Sequence, residues 1–416
     1  MKMLLVSIIC AMALPAMASA VSVSEPPMPR PSLSDRAEEA QRFADWRDAF
    51  RVKASEAGIT AAVFDEAFRG VTPSKRIIEL DGAQPEFVRP ISDYLSRAVS
   101  ARRISDGRRA LEAQAQTLAA IEARYGVDRE VVVAIWGLET AYGAVRGDFD
   151  VIRALATLAH DGRRQDWAEG ELIAALSILQ SGDVAQHKMI GSWAGAMGHT
   201  QFMPSSYLTF AEDFRGEGRR DVWSEDPTDA LASTARYLAH HGWVMDQPWG
   251  MEVRLPADFN FMLADRFLSR PAAFWNDIGV RGMDGGAIPD FGPAAMLAPM
   301  GATGPVFVTF NNFDVIKTYN RSNAYALAIG HLGDRMTGGA EWETPWPTGI
   351  LPLNRDERTE VQERLTAMGY DTQGNDGMIG PNSERAIKAF QLDAGLTPDG
   401  LASNRLLTQI RRASGG

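Results

Sequence analysis

From Asp35 to Trp243 the apolar residues recur at helical spacing, which commits half the chain to stacked helices. Leu111, Leu118, Ile121 and Tyr125, at intervals of seven, three and four, put one such stripe on a single helix face. A Gly-rich stretch at 191–198 breaks the pattern. Between Trp249 and Val315 Pro and Gly become frequent, and two short β-like runs, Met251–Leu255 and Pro305–Phe310, predict a small strand-containing insertion. Helix returns at Ser322–Met336, residues 337–352 read as a linker, and a compact tail spans 353–412. A chain of 416 residues, 45% hydrophobic and 23% charged, can bury a real core, so neither a disordered protein nor a disulfide-stapled miniprotein is expected. Asp and Glu outnumber Lys and Arg by 53 to 42; a net charge of −11 argues against nucleic acid as a partner.

The N-terminus has the parts of a cleavable secretory signal: Lys2, an apolar run from Leu4 to Leu14, and the small-x-small exit Ala18-Ser19-Ala20. That run is too short to span a bilayer, which takes about 20 apolar residues. The single Cys10 lies inside it, so a chain processed near Val21 holds no thiol. Residues 21–34, rich in Pro and Ser, read as a disordered leader.

The chemistry centres on Asp128–Gly143. Asp128 is a plausible helix cap, Val132, Ile135 and Trp136 stand at i, i+3 and i+4, and Glu139 takes the i+7 place on the same stripe. Desolvation at such a place disfavours the anion, which lets a carboxyl group serve as a general acid. The alternative is a Glu at a helix end that turns to solvent or pairs with an Arg. The block Gly191–Tyr207 interleaves Gly with Ser192, Trp193, Gln201 and Tyr207. Gly admits close backbone approach, neutral polar groups and flat rings suit a sugar, and a tight helix–helix contact would use the same small residues. Arg163 and Arg164 are either solvated surface charge or partners for carboxylates of an acidic polymer.

At these residues the chain resembles the lytic murein transglycosylases of the membrane-bound B type, glycoside hydrolase family 103. The blocks are GLETAYG, TLAHDGRRQDW, SWAGAMGHTQFMPSSY, DPTDALASTARYLAHHGW and Tyr319–Tyr325, in order between Phe43 and Met336. The resemblance implies a mainly α fold: a lysozyme-like helical core, a helical N-terminal domain and a small β-containing insertion within a catalytic region at 35–336. It also implies Glu139 as the sole acid/base, Arg163 and Arg164 near the peptide stem or the lactyl carboxylate, and Ser192 and Gln201 on the sugar. Tyr237, Tyr319 and Asn320 would line the cleft, with Tyr94 placed there by spacing alone. Trp193 and Tyr207 are added from their position in the Gly-rich block. One carboxylate suits a non-hydrolytic cleavage between N-acetylmuramic acid and N-acetylglucosamine, in which the muramic 6-hydroxyl closes a 1,6-anhydro ring. A hydrolase usually needs a second acid, and Asp161, Asp166, Glu169 and Glu171 read as solvated. No organic cofactor is implied.

The family often carries a calcium loop after the Gly-rich block. Here Asp213, Glu217 and Asp229 are the candidate ligands, but Arg215 and Ser224 occupy ligand positions, and a charge-paired turn is the favoured reading. The tail resembles a three-helix peptidoglycan-binding domain through Val361-Gln362, Gly369-Tyr370, Asp376-Gly377, Phe390-Gln391 and Asp399-Gly400; Val361, Leu365, Met368, Ala386 and Phe390 keep core spacing. The expected partner is the glycan strand, with cell-wall synthesis or division proteins as further candidates, for a periplasmic monomer. Two rival readings are an inactive wall-binding scaffold and a hydrolytic muramidase.

Overall fold

The computed structural model describes residues 33–82 and 90–415. The expected signal segment, and the leader as far as residue 32, lie outside the described residues. Leu33 and Ser34, assigned to the leader, already belong to the first helix.

In chain order the helices are α1 (Leu33–Glu56), α2 (Ala61–Ala67), α3 (Lys75–Gly82), α4 (Ile91–Ala98), α5 (Ala101–Ala113), α6 (Ala115–Tyr125), α7 (Arg129–Thr140), α8 (Val151–Asp161) and α9 (Gln165–Ser181). There follow α10 (Pro204–Phe210), α11 (Thr228–His240), α12 (Ala272–Asp277), α13 (Asn311–Tyr319), α14 (Asn323–Met336), α15 (Arg355–Ala367), α16 (Pro381–Asp393) and α17 (Asn404–Ala413). The strands are β1 (Phe149–Asp150), β2 (Ile190–Gly191), β3 (Gly250–Arg254), β4 (Arg281–Gly282), β5 (Ala295–Leu297) and β6 (Val306–Thr309). The chain forms two compact units, one holding residues 33–82 and 135–237, the other 90–134 and 238–415.

In the first unit α8 packs against α9 and α3, and α9 also meets α2 and α10. Helix α8 is buried from Val151 through Ala159 except at Arg153, as expected of a helix apolar nearly all round. Its start is capped by Asp150, whose carboxylate accepts from the Arg153 amide at 2.8 Å. Phe50 meets Phe64 and Phe68, each with ring centroids 6.1 Å apart, closing α1 onto α2 and the residue that follows it.

In the second unit α14 packs on α13, α4 and α5. Trp249 lies so close to Gly330 of α14 that a Cβ there would sit 2.5 Å from the indole. The insertion is a four-stranded antiparallel sheet in the order β4-β3-β6-β5, with Met251 opposite Val308 and Met296 opposite Val308 on the other side. Its core joins Val253, Trp275, Val280, Met296, Val308 and Phe310. The insertion ends earlier than Val315, because Asn311 already begins α13. The stripe from Leu111 to Tyr125 belongs to two helices and not one, since Gln114 separates α5 from α6.

Residues 337–352 are held against this unit. The Glu252 carboxylate accepts from the amides of Glu343 (2.7 Å) and Thr344 (2.8 Å), and Trp342 packs on Phe307 and His331. The three-helix tail opens with a capping box, Asn354 and Glu357, and closes around Val361, Leu365, Ile387, Phe390, Leu407 and Ile410. It rests on the insertion. The Lys388 ammonium donates to the carbonyls of Phe261 (3.2 Å) and Ala264 (2.8 Å), and Asp399 accepts from the Ala302 amide at 3.0 Å.

Candidate active site

Val132 and Ile135 of α7 are fully buried, and Trp136 and Glu139 are each 6% exposed. Glu139 therefore completes the apolar stripe and does not turn to solvent. Asp128 holds the cap position of α7, and its carbonyl accepts from the Val131 amide at 3.2 Å. Its carboxylate goes to the Trp243 indole (2.7 Å) and the Asp246 amide (3.2 Å) and not to the first turn, where Glu122 takes the Arg129 amide at 3.1 Å.

Directly after α7 the backbone turns left-handed at Ala141 (φ 50°), Tyr142 (φ 61°) and Gly143 (φ 84°). Two of these residues carry a Cβ, a cost that surrounding contacts must offset. The Thr140 hydroxyl donates to the His199 carbonyl at 2.6 Å and accepts from the Gly143 amide at 3.0 Å. The Tyr142 ring covers Gly137, where a Cβ would lie 2.6 Å from it. The end of the helix that carries Glu139 is thereby fixed onto the Gly-rich block.

That block is a tight turn. The Ser192 amide donates to the Ala196 carbonyl (2.8 Å), and its hydroxyl accepts from the Ala196 amide (3.0 Å). Met197 and Phe202 exchange two backbone bonds, of 2.8 and 3.0 Å. Gln201 is left-handed (φ 55°) and buried, with Nε2 donating to the carbonyls of Gly198 (3.0 Å) and Arg146 (3.3 Å). Its Oε1 has no hydrogen-bond partner within the protein. A buried acceptor left unsatisfied is uncommon in a folded protein.

The structure redistributes the other expected residues. Tyr207 is fully buried, its hydroxyl donates to the Arg220 carbonyl at 2.5 Å, and the Arg220 guanidinium lies 5.0 Å above its ring. It is a core residue and lines no cleft. Ser192, 1% exposed, serves its own turn. Arg163 and Arg164 both pair with Asp81, a carboxylate of α3 only 4% exposed; the Arg163 side chain keeps half its surface and Arg164 keeps 13%. Trp193, partly buried, packs against the apolar cluster that includes Ala154 and Leu158, and Tyr237 meets Phe202 and Phe210. In the second unit Tyr94 and Tyr319 are half-buried, and buried Asn320 accepts from the Ser322 amide at 3.0 Å.

Glu169 and Glu171, read from sequence as solvated, are each 5% exposed. Glu169 holds Lys53 (2.6 Å), Gln165 (2.9 Å) and the Trp46 indole (3.1 Å). Glu171 is pushed above the usual carboxylate range by burial, against the Ser205 amide (2.9 Å) and hydroxyl (2.7 Å) that its oxygens accept. Both carboxylates are engaged in holding helices.

In the loop at 213–226 the Asp213 oxygens accept from the amides of Gly216, Glu217 and Gly218 at 2.6–2.9 Å. Those of Asp229 take the amides of Phe214 (3.0 Å) and Asp221 (2.8 Å), and Arg215 pairs with Asp226. Among the described residues no three acidic or His groups converge in a way that could hold a metal ion. The donor set does not fit calcium: its oxygens face amides, and a guanidinium stands at a ligand position.

Residues 42–334 match the family described as the Transglycosylase SLT domain, and residues 354–410 match a peptidoglycan binding domain. The chain belongs to the transglycosylase SLT family, with a peptidoglycan-binding module behind it. Among solved structures it is similar to SltB3 of Pseudomonas aeruginosa in complex with NAG-anhNAM-pentapeptide, at 47% identity and TM-score 0.86, covering 89% of this chain and 99% of that one. SltB1 of the same organism is 31% identical, with TM-score 0.63 over 70% of this chain and 97% of that one. Membrane-bound lytic murein transglycosylase B of Escherichia coli is 35% identical over 220 residues, and this match spans 51% of the chain and 58% of that relative. Among the described residues no helix is long and apolar enough to cross a membrane.

Proposed function

We propose that this chain cuts peptidoglycan glycan strands without water, between N-acetylmuramic acid and N-acetylglucosamine, and leaves 1,6-anhydromuramic ends. The observation that carries this reading is Glu139, 6% exposed at the end of an apolar helix face within the matched family region. Its carboxyl group protonates the glycosidic oxygen while positive charge develops at C1, helped by the substrate's own N-acetyl group. The resulting carboxylate takes the proton of the muramic 6-hydroxyl, and that oxygen attacks C1. One group acts as acid and then as base. Gln201, with its unused acceptor, is the best-supported sugar contact. Arg163, half exposed and anchored by Asp81, is the member of the arginine pair able to meet a carboxylate of the stem. Glu169 and Glu171, already engaged, do not supply the second acid of a hydrolase.

The binding module supports a location at the wall, and the N-terminal sequence supports export to the periplasm. The 213–226 loop works as a charge-paired turn and needs no calcium. Mass spectrometry of digested wall tests the whole reading: anhydro ends are expected, reducing ends mean a hydrolase, and no release means a scaffold. Glu139→Gln should abolish release while wall binding stays.

A further inference from the structure

The last turn of α7 is clamped at two points by one residue. The Trp136 indole Nε1 donates to His199 Nδ1 at 3.1 Å, and the Thr140 hydroxyl donates to the His199 carbonyl at 2.6 Å. Trp136 and Thr140 are one turn apart and stand either side of Glu139. Because Nδ1 accepts, the imidazole proton sits on Nε2, which donates to the Ser224 carbonyl at 2.7 Å. The His199 amide donates to the Val222 carbonyl at 3.1 Å. Arg146 then holds the far side, giving NH1 to the carbonyls of Trp223 and Ser224, both at 2.8 Å, and pairing with Glu225. The imidazole is 3% exposed, and Gly143 lies against it too closely for any side chain.

We propose that His199 is a positioning residue for Glu139: it ties the helix end bearing the acid to the 222–224 turn, with Arg146 as the brace of that turn. This rests on the reading of Glu139 given above. A ring without nitrogens leaves the Trp136 donor unmet and takes one of its two donors from the Ser224 carbonyl, so the last turn of α7 keeps only the Thr140 bond to the main chain. The proton donor must stand within hydrogen-bond reach of the glycosidic oxygen, and a displacement near 1 Å costs about a hundredfold in rate. The effect therefore falls on kcat and not on substrate affinity.

The test is steady-state cleavage of a soluble glycan fragment, read as anhydro product, for the parent, His199→Phe, His199→Gln and Trp136→Phe. A Gln amide offers an acceptor and a donor at nearly the spacing of the two ring nitrogens. We expect His199→Phe to lower kcat by about tenfold or more with KM within about twofold, and His199→Gln to recover most of that loss. Trp136→Phe, which removes the donor together with part of the indole's bulk, should lower kcat in the same sense. A kcat for His199→Phe within twofold of the parent, or a Gln variant as impaired as Phe, overturns the proposal. Should His199→Phe fail to fold, a Trp136→Phe kcat within twofold of the parent overturns it equally. A parent that releases anhydro product while these variants match it sinks the positioning role alone; a parent that releases none sinks the reading of Glu139.

Discussion

Trp342 lies flat on the imidazole of His331, with ring centroids 4.0 Å apart and planes 21° from parallel. Burial of that imidazole, seconded by the charge of Arg335, pulls its pKa down to about 4. The folded chain thus keeps His331 neutral where the unfolded chain, near 6.5, already binds a proton. Stability should fall as pH drops from 6.5 towards 4, by up to about 3 kcal/mol. His331→Phe should flatten that slope in urea unfolding at pH 7 and pH 4.5; an unchanged slope refutes the assignment.

Asp81 neutralises two guanidiniums from a place with almost no solvent. Asp81→Asn leaves Arg164 buried and uncompensated, and should cost about 3 kcal/mol. Arg163→Ala, at the exposed end of the same group, should cost under about 1 kcal/mol. Chemical denaturation of the two variants checks the ratio; equal losses would mean the buried pair is not the one that matters.

Gly143 and Gly58 share nearly the same left-handed φ, +84° and +89°, but only Gly143 faces an obstacle: a Cβ there would sit 2.5 Å from His199 Nδ1. Gly58→Ala should cost about 1 kcal/mol and no activity. Gly143→Ala should add to that strain the expulsion of the imidazole and lower turnover at least tenfold, on the logic of misplaced acids. Parallel melting curves and rate measurements separate the two effects.

Lys388 is buried, its ammonium spends two of its donors on carbonyls of the insertion, and burial lowers its pKa. Lys388→Met should loosen the tail on the insertion, leaving the Asp399 contact as its remaining side-chain tie. Limited proteolysis within 345–352 should then run severalfold faster, with binding to insoluble wall retained. Equal cleavage rates would show that the docking does not restrain the segment.

Where the physics is local, the sequence was readable. The stripe from Val132 to Glu139 is helical periodicity, the run Met251–Leu255 overlaps β3 with a shift of one residue, the run Pro305–Phe310 contains β6, and Val361, Leu365, Ala386 and Phe390 are buried as their spacing suggests. What was not readable depends on partners far along the chain. Asp81 finds its arginines 82 and 83 residues away, and Lys53 reaches Glu169 across 116. No pattern marks such pairs, so Glu169 reads as solvated from the sequence alone. Tyr207 misled for a related reason: an aromatic ring in a Gly-rich block suits a sugar or a core equally, and the carbonyl of Arg220 decides. His199 stands in that same block with nothing in the sequence to mark it, because its two bonds to α7 reach residues 63 and 59 positions away.

The contact between the tail and the insertion has a bearing on recombination of such modules. Lys388 terminates on main-chain oxygens of Phe261 and Ala264, so the side chains at those two positions could change without disturbing the grip. A transplanted wall-binding domain would keep its orientation if it brought a lysine at that place and a carboxylate where Asp399 stands, and met a loop of the same backbone course, whatever residues that loop was made of.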